Sequence, residues 1–329
     1  MIITRTPFRV SFFGGGSDFP AFYDEHGGAV LSTSIDKFCY ITVRELPPFF
    51  DHKYRIRYTK REETNSILDI NHPSVRACLQ HMEVQEGLEV LHTSDIPAMS
   101  GIGSSSSFTV GLLNALHAYR DEKVSKSELC QGALHVEQAM LEENVGSQDQ
   151  TAASYGGFNK ITFKKNMQPL VSPVAIQRHR RVALENHLML FFTRFSRVSD
   201  TIAKTQIEKT PALTSELSSM RAMVEQAIEI LVNESNSLDQ FGELMHDSWQ
   251  IKRTLTEKIT NPEIDGYYEK ARAAGAIGGK LCGAGGGGFF MLFVPPEKQE
   301  TVKKALHNLL HVPFNFDFGG TQVIYNSKY

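Results

Sequence analysis

The run Pro97-Ala98-Met99-Ser100-Gly101-Ile102-Gly103-Ser104-Ser105-Ser106-Ser107 constrains this chain most, because a glycine-serine loop feeds directly into an apolar helical pattern of Phe108, Leu112, Leu116 and Tyr119. A loop of that kind suits anions. Helix N-termini present several unpaired backbone N–H groups and about half a positive charge, and glycine lets a bulky anion approach the main chain closely. The serine hydroxyls add donors, or ligands for a magnesium ion carried by phosphates. A flexible Gly/Ser turn ahead of a helix has the same composition, so the loop decides nothing alone.

With 329 residues, 41% of them hydrophobic, the chain can build one large or two ordinary cores. Its net charge of −3 comes from interspersed signs without a basic stripe, which argues against a nucleic-acid partner. No apolar run approaches about 20 residues, and the opening MIITRTPFRVSFF has neither a signal core nor a cleavage site. The expectation is a soluble, cytoplasmic protein with no membrane partner. Cys39, Cys78, Cys130 and Cys282 are scattered without a CxxC pair, which reads as reduced thiols, mostly in the core. The pattern leaves the oligomeric state open, a homodimer included.

Strand-like runs at Met1–Thr4, Phe8–Phe13, Val30–Ser34 and Phe38–Val43 alternate with glycine turns. Helical spacing follows at 108–120 and 127–143, and Gly156-Gly157 leads into a strand at Phe158–Phe163. A polar, basic segment from Lys164 to Arg181 places a lobe boundary near residue 180, giving lobes 1–180 and 181–329. The second half carries helical stripes from Leu213 to Leu255, read as core. After them come the motif Lys280–Gly288, a strand-like run Phe289–Val294, a helix from about Pro296 to Leu310, and a strand at Gln322–Tyr325. Strands and helices mix without strict βαβ alternation, which predicts an α+β fold of two lobes.

Three glycine clusters stand far apart: Gly14-Gly15-Gly16-Ser17-Asp18, the serine loop, and Gly283–Gly288. Glycine is entropically costly unless the backbone must turn sharply or approach a ligand, so three clusters suggest convergence on one extended ligand, against the alternative of three unrelated turns. Glu137 shares a helical face with Ala133, Leu134, Met140 and Leu141, so its carboxylate needs a partner, a magnesium ion or an arginine, unless it reaches water at the stripe's edge. Asp149 follows a Gly-Ser-Gln turn and precedes small residues, leaving room for a substrate, although an Asp in a turn is commonly turn chemistry. Arg9 alternates with Phe8, Val10 and Phe12 on a strand, facing either solvent or an anion. Arg178-His179-Arg180-Arg181 reads as a solvated turn, of more interest if the substrate is phosphorylated.

With these residues in view the chain closely resembles the GHMP kinases, whose three signatures occur in order as PFRVSFFGGGSD (7–18), PAMSGIGSSSSF (97–108) and KLCGAGGGG (280–288). The family's loop usually continues with alanines where Ser106 and Ser107 stand here. The resemblance implies the two-lobed GHMP kinase fold, a mixed α/β N-terminal lobe and a ferredoxin-like α+β C-terminal lobe. It implies ATP with its phosphates over Ser100, Gly101, Ile102, Gly103, Ser104, Ser105, Ser106 and Ser107, and magnesium held by Glu137 and Ser105, with Ser104 as the alternative serine. Asp149 matches the family's carboxylate facing the acceptor hydroxyl, and Arg9 the arginine beside it. Asp18, with Gly15 and Gly16, matches the sugar-binding segment. Gly283, Gly285 and Gly286 would complete the pocket near the transferred phosphate.

Within the family the most similar branch phosphorylates a heptose 7-phosphate, on TPFRVSFFGGGSDFPAFYDEHGGAVLSTSIDKF, GIGSSSSFTVGLLNAL and GSQDQTAASYGGFN. Fucokinase domains share much of this pattern. The branch implies transfer of the ATP γ-phosphoryl group to the anomeric hydroxyl, a phosphorylated sugar as partner, and downstream use in nucleotide-activated heptose. One departure is Arg194 in Phe192-Thr193-Arg194-Phe195-Ser196-Arg197, where the branch has a glycine in the segment that forms part of the substrate wall. Arg178, Arg181, Arg194 and Arg197 are the candidates for the substrate phosphate. A dinucleotide oxidoreductase is the rival from Gly283–Gly288, which reads GxGxxG, but an apolar strand follows where a helix should open. A non-catalytic ATP or sugar sensor is the other rival; the joint presence of Asp149, Glu137 and the serine loop argues against it.

Overall fold

The computed structural model describes residues 1–98, 100–193 and 199–327. Its frame is two long antiparallel strands, β1 (Ile2–Phe13) and β2 (Gly28–Glu45). The run Met1–Thr4 continues into Phe8–Phe13 through Pro7, and Val30–Ser34 continues into Phe38–Val43. Register shifts between Pro7 and Phe8, where a residue without an N–H interrupts the ladder. From Thr6 to Phe13 every residue of β1 is buried, because both faces of the strand are covered. Simple inward-outward alternation therefore fails here, and Arg9 is an interior residue.

β3 (Tyr54–Arg57), β4 (Arg61–Thr64), β5 (Leu88–Ser94), β6 (Phe158–Phe163) and β7 (Leu170–Pro173) extend this sheet, with β3 parallel to β5 and the other pairs antiparallel. β8 (Leu188–Phe192), β9 (Gly278–Leu281), β10 (Phe289–Phe293) and β11 (Leu310–His311) form a second, antiparallel sheet in the order β11-β8-β10-β9. The chain then returns to the first sheet, where β12 (Phe316–Asp317) pairs with β2 and β13 (Gln322–Asn326) pairs with β1. A single boundary at residue 180 thus separates the sheets only as far as β11. The tail assigned to 181–329 ends as part of the first lobe, because β1 and β2 offer it unpaired edges.

The helix Ser104–Tyr119 packs across β1 and β2 and is buried continuously from Ser106 to Leu116. Phe12 of β1 makes edge contacts with Phe158 (ring centroids 5.8 Å apart) and with Phe241 (5.5 Å) of the helix Asp239–Lys252. Each such pair contributes about 0.5–1.5 kcal/mol beyond its buried area. The consequence is positional, since this helix, from the second half of the sequence, ends at Lys252 against the strand that carries Arg9. All four cysteines are free and buried. Among the described residues no helix is long and apolar enough to cross a membrane.

Candidate active site

Gly103, with φ of +78°, precedes the helix Ser104–Tyr119, which starts four residues before the Phe108 where the apolar pattern begins. Serines 104 to 107 are therefore its first turn. No side chain caps this end, and the N–H of Ser107 donates to the carbonyl of Gly103 at 2.9 Å as the helix begins. An uncapped N-terminus facing a cavity is a site for anionic oxygen, favoured by the backbone amides and the helix dipole together.

The loop is held by the third glycine cluster. A Cβ on Gly101 would lie 2.7 Å from the carbonyl oxygen of Cys282, and one on Gly283 would lie 2.7 Å from the Cα of Gly101. Both glycines have positive φ, 79° and 67°, so the contact of the two backbones excludes side chains twice over. The first cluster faces the same cavity through Gly15, Gly16 and Asp18, and the cavity, of about 670 Å³, is also lined by Gly101, Gly103, Ser104, Ser105, Ser106, Asp149 and Gly283. Its far wall is aromatic: His72 and Phe108 stack at 4.8 Å, and Tyr58 and His92 meet them edge-on.

Arg9 and Asp149 form a bidentate pair. Arg9 Nε donates to Asp149 Oδ1 and Arg9 Nη2 to Asp149 Oδ2, both at 2.7 Å, while Nη1 donates to the carbonyl of Gly101 at 2.9 Å. The planar guanidinium matches the carboxylate with two parallel bonds and still reaches the loop. Asp149 stands in the first turn of the helix Gln148–Tyr155, and its side chain keeps 28% of its exposure against 5% for Arg9. The carboxylate is thus paired with a fixed cation yet open to the cavity.

Glu137 sits in a short π-helical stretch, His135–Met140, that continues the helix Lys126–Leu134. It is completely buried. Ser106 Oγ donates to Oε2 at 2.8 Å and Gln150 Nε2 to the same oxygen at 2.5 Å, while among the described residues Oε1 has no hydrogen-bond partner. Burial raises this carboxyl to about 7, Glu143 adds to the rise, and the Thr109, Ser106 and Gln150 side chains oppose it. Among the described residues this buried carboxyl meets only neutral donors, and one of its oxygens meets none.

Asp18 is buried too, its Oδ1 accepting from the N–H of Gly16 at 2.9 Å. Burial and then the charge of Asp149 push its pKa up, against the pull of the Gly16 N–H. A Cβ on Gly146 would lie 2.0 Å from Asp18 Oδ2, so only glycine allows that turn to pass the carboxylate.

Comparison with known proteins agrees with this geometry. The family model described as GHMP kinases N terminal domain matches residues 72–157, and GHMP kinases C terminal matches 223–311. The D-glycero-alpha-D-manno-heptose 7-phosphate kinase of Campylobacter jejuni is 31% identical over 93% of each chain. The chain is a GHMP kinase. Among solved structures, a D-glycero-D-manno-heptose 1-phosphate kinase from Bacteriodes thetaiotaomicron superposes with a TM-score of 0.80 at 24% identity, covering 99% of this chain and 100% of that one. The galactokinase of Lactococcus lactis complexed with galactose gives 0.76 at 17% identity, over 98% and 94%. These two establish the two-lobed fold. GHMP kinases are phosphotransferases that use ATP and act on hydroxyl groups, and this kinase shares that chemistry.

In this GHMP kinase several expected site residues stand in other places than the motif suggested. Ser105, expected beside Glu137, is exposed, and Ser106 takes that place because the turn after Gly103 points its hydroxyl inward. Ser107 is buried and donates to the carbonyl of Pro7, fastening helix to strand. Ser100 and Ile102 are buried, and their carbonyls accept from the N–H groups of Phe289 and Arg9. Gly285 and Gly286 pack against Ile259 rather than lining the cavity, where Gly283 and Ala284 stand. Arg178 and Arg181 lie away from the cavity, Arg181 over the ring of Phe318, and Arg194 and Arg197 fall outside the described residues. The literal GxGxxG leads into strand β10, as a dinucleotide site would not.

Two lysines went unassigned in the sequence. Lys252 and Lys280 are 7% and 2% exposed and line the cavity. Lys252 stands on the apolar stripe of its helix after Phe241, Met245 and Trp249, and a lysine on such a stripe is the signal that could have found it.

Proposed function

We propose that this kinase transfers the γ-phosphoryl group of ATP to the anomeric hydroxyl of D-glycero-D-manno-heptose 7-phosphate, giving the 1,7-bisphosphate. The observation that carries the reading is the Arg9–Asp149 pair, bidentate at 2.7 Å and bound through Gly101 to the loop whose helix N-terminus faces the same cavity. The choice of sugar is supported by the Campylobacter jejuni relative at 31% identity.

Phosphoryl transfer requires alignment and charge neutralisation more than covalent help, since the transition state is loose and its charge is spread over the phosphoryl oxygens. The amides at Gly103–Ser106 would cradle phosphate oxygens. Asp149, oriented by Arg9, would face the acceptor hydroxyl and take its proton as the O–P bond forms, and Asp18 would accept hydrogen bonds from sugar hydroxyls. Glu137, with its vacant buried oxygen, and Ser106 are the residues that fit magnesium. Bound there, the ion would offset phosphate charge and that of Glu137 together.

The test is kcat/KM with ATP for heptose 7-phosphate, unphosphorylated heptose, fucose, galactose and mevalonate. Preference for heptose 7-phosphate by at least about 100-fold is expected, equivalent to about 2.7 kcal/mol in the transition state. Equal or better use of an unphosphorylated sugar overturns the substrate and leaves the phosphotransferase chemistry standing.

A further inference from the structure

Lys252 Nζ donates to the carbonyls of Leu281, at 3.0 Å, and Gly283, at 2.5 Å. Lys280 Nζ donates to the carbonyl of Phe12 at 3.0 Å. An ammonium has three donors, so these bonds leave one on Lys252 and two on Lys280. Among the described residues neither lysine makes a salt bridge. Arg9, beside them, is matched by Asp149.

A buried cation whose hydrogen bonds go only to neutral carbonyls, and which the Asp18 carboxylate favours across the cavity without an ion pair, is expensive, and a fold retains one where an anionic ligand completes it. The position says which anion. Lys252 binds Gly283, Gly283 rests on Gly101, and Gly101 receives Nη1 of Arg9, whose other nitrogens hold Asp149. Lys280 binds the same strand three residues beyond Arg9. Both lysines therefore line the cavity into which Asp149 opens, beside the arginine that orients it.

We propose that Lys252 and Lys280 are catalytic residues that hold the oxygens of the phosphoryl group in flight between ATP and the acceptor. This rests on the phosphoryl-transfer reading above, not on the identity of the sugar. The bond from the acceptor oxygen to the γ-phosphorus forms, the bond from that phosphorus to the β,γ-bridging oxygen breaks, the hydroxyl proton passes to Asp149, and ADP leaves with the bridging oxygen. The two ammonium groups meet charge on the phosphoryl oxygens, where fixed donors in a dry site act most strongly. They stay protonated in that complex because the phosphoryl charge faces them; in the empty site burial lowers Lys280 to about 8 and Lys252 well below its ordinary value.

The test uses Lys252→Met and Lys280→Met in the full chain, with whichever sugar the wild type phosphorylates fastest, so that a wrong heptose assignment leaves it intact. Each variant should lose kcat by about 10²–10³-fold, the loss typical of one oxyanion donor, and weaken ATP binding by a smaller factor, about tenfold or less. Each should also lose the tightening of ADP by aluminium fluoride in the presence of that sugar. A kcat within about threefold of wild type, or fluoride tightening that survives, overturns the proposal. So does a loss confined to KM for a phosphorylated acceptor, which would put the lysines on the acceptor's own phosphate. Bound ADP and the melting temperature report folding, and if Lys252→Met does not fold, Lys280→Met alone decides.

Discussion

Asp149 and Glu137 are both carboxylates behind the same cradle, and they are compensated in opposite ways. Asp149 has its cation inside the chain, two bonds of 2.7 Å from Arg9, and keeps part of its surface open. Glu137 has only hydroxyl and amide donors, no exposure and one oxygen without a partner. A charge the fold completes is ready to act on a neutral hydroxyl, whereas one the fold leaves incomplete waits for a cation. The same contrast separates Arg9 from Lys252 and Lys280.

The sharpest way to break this comparison is Asp149→Asn. It removes the proton acceptor and one member of the pair, so turnover should fall about 10³-fold while ATP affinity changes little. Near-normal turnover would take Asp149 out of the mechanism. Glu137→Gln should cut magnesium-dependent turnover by about 10²-fold and yet stabilise the metal-free protein. The sign follows from a carboxyl raised from its ordinary 4.5 to about 7 by burial. Ionising it in the folded state carries a cost that begins as pH passes 4.5 and is complete above 7, at most ~3 kcal/mol. The variant should therefore melt higher than wild type at pH 8 without magnesium, with the gap closing by pH 4. A lower melting temperature at pH 8 would mean that Glu137 is already compensated.

Smaller effects sharpen the loop. Ser106→Ala removes a donor to a charged group and should lower turnover roughly tenfold, whereas exposed Ser105→Ala should stay within about twofold; the reverse order would restore Ser105 beside Glu137. The smallest effect is in the pH profile. Lys280 is lowered to about 8 by burial and by Arg9, with Cys282 and Asp18 pulling the other way. Since kcat/KM reports the free enzyme, kcat/KM for ATP should decline as pH rises through about 8, while kcat, which reports the bound state, holds to higher pH. A flat kcat/KM to pH 9.5 would contradict that role.

What the sequence disclosed was mostly local. The three glycine clusters were legible because each had to solve a backbone problem in its own segment; the second and third meet at Gly101 and Gly283, and the first lines the same cavity. Glu137 was legible from its place on an apolar face. Arg9 and Asp149 were each ambiguous, since a strand arginine and a turn aspartate have ordinary explanations, and 140 positions separate them. Three things were hidden. The phase of the helix start, fixed by the φ of Gly103, decides between Ser105 and Ser106 and shows in no spacing rule. Long-range pairing of β12 and β13 depends on edges that β1 and β2 offer only after folding. The lysines became meaningful only when Lys252 was carried to the glycine motif by packing around Phe12 and Phe241.

The most direct measurement follows ATP and heptose 7-phosphate by phosphorus NMR with wild-type protein and with Asp149→Asn. The account predicts that the wild type gives a second phosphate signal coupled to the anomeric proton, and that the variant, folded and binding ATP, gives almost none in the same time. A new phosphate on another carbon, or a variant that keeps pace with wild type, would contradict it.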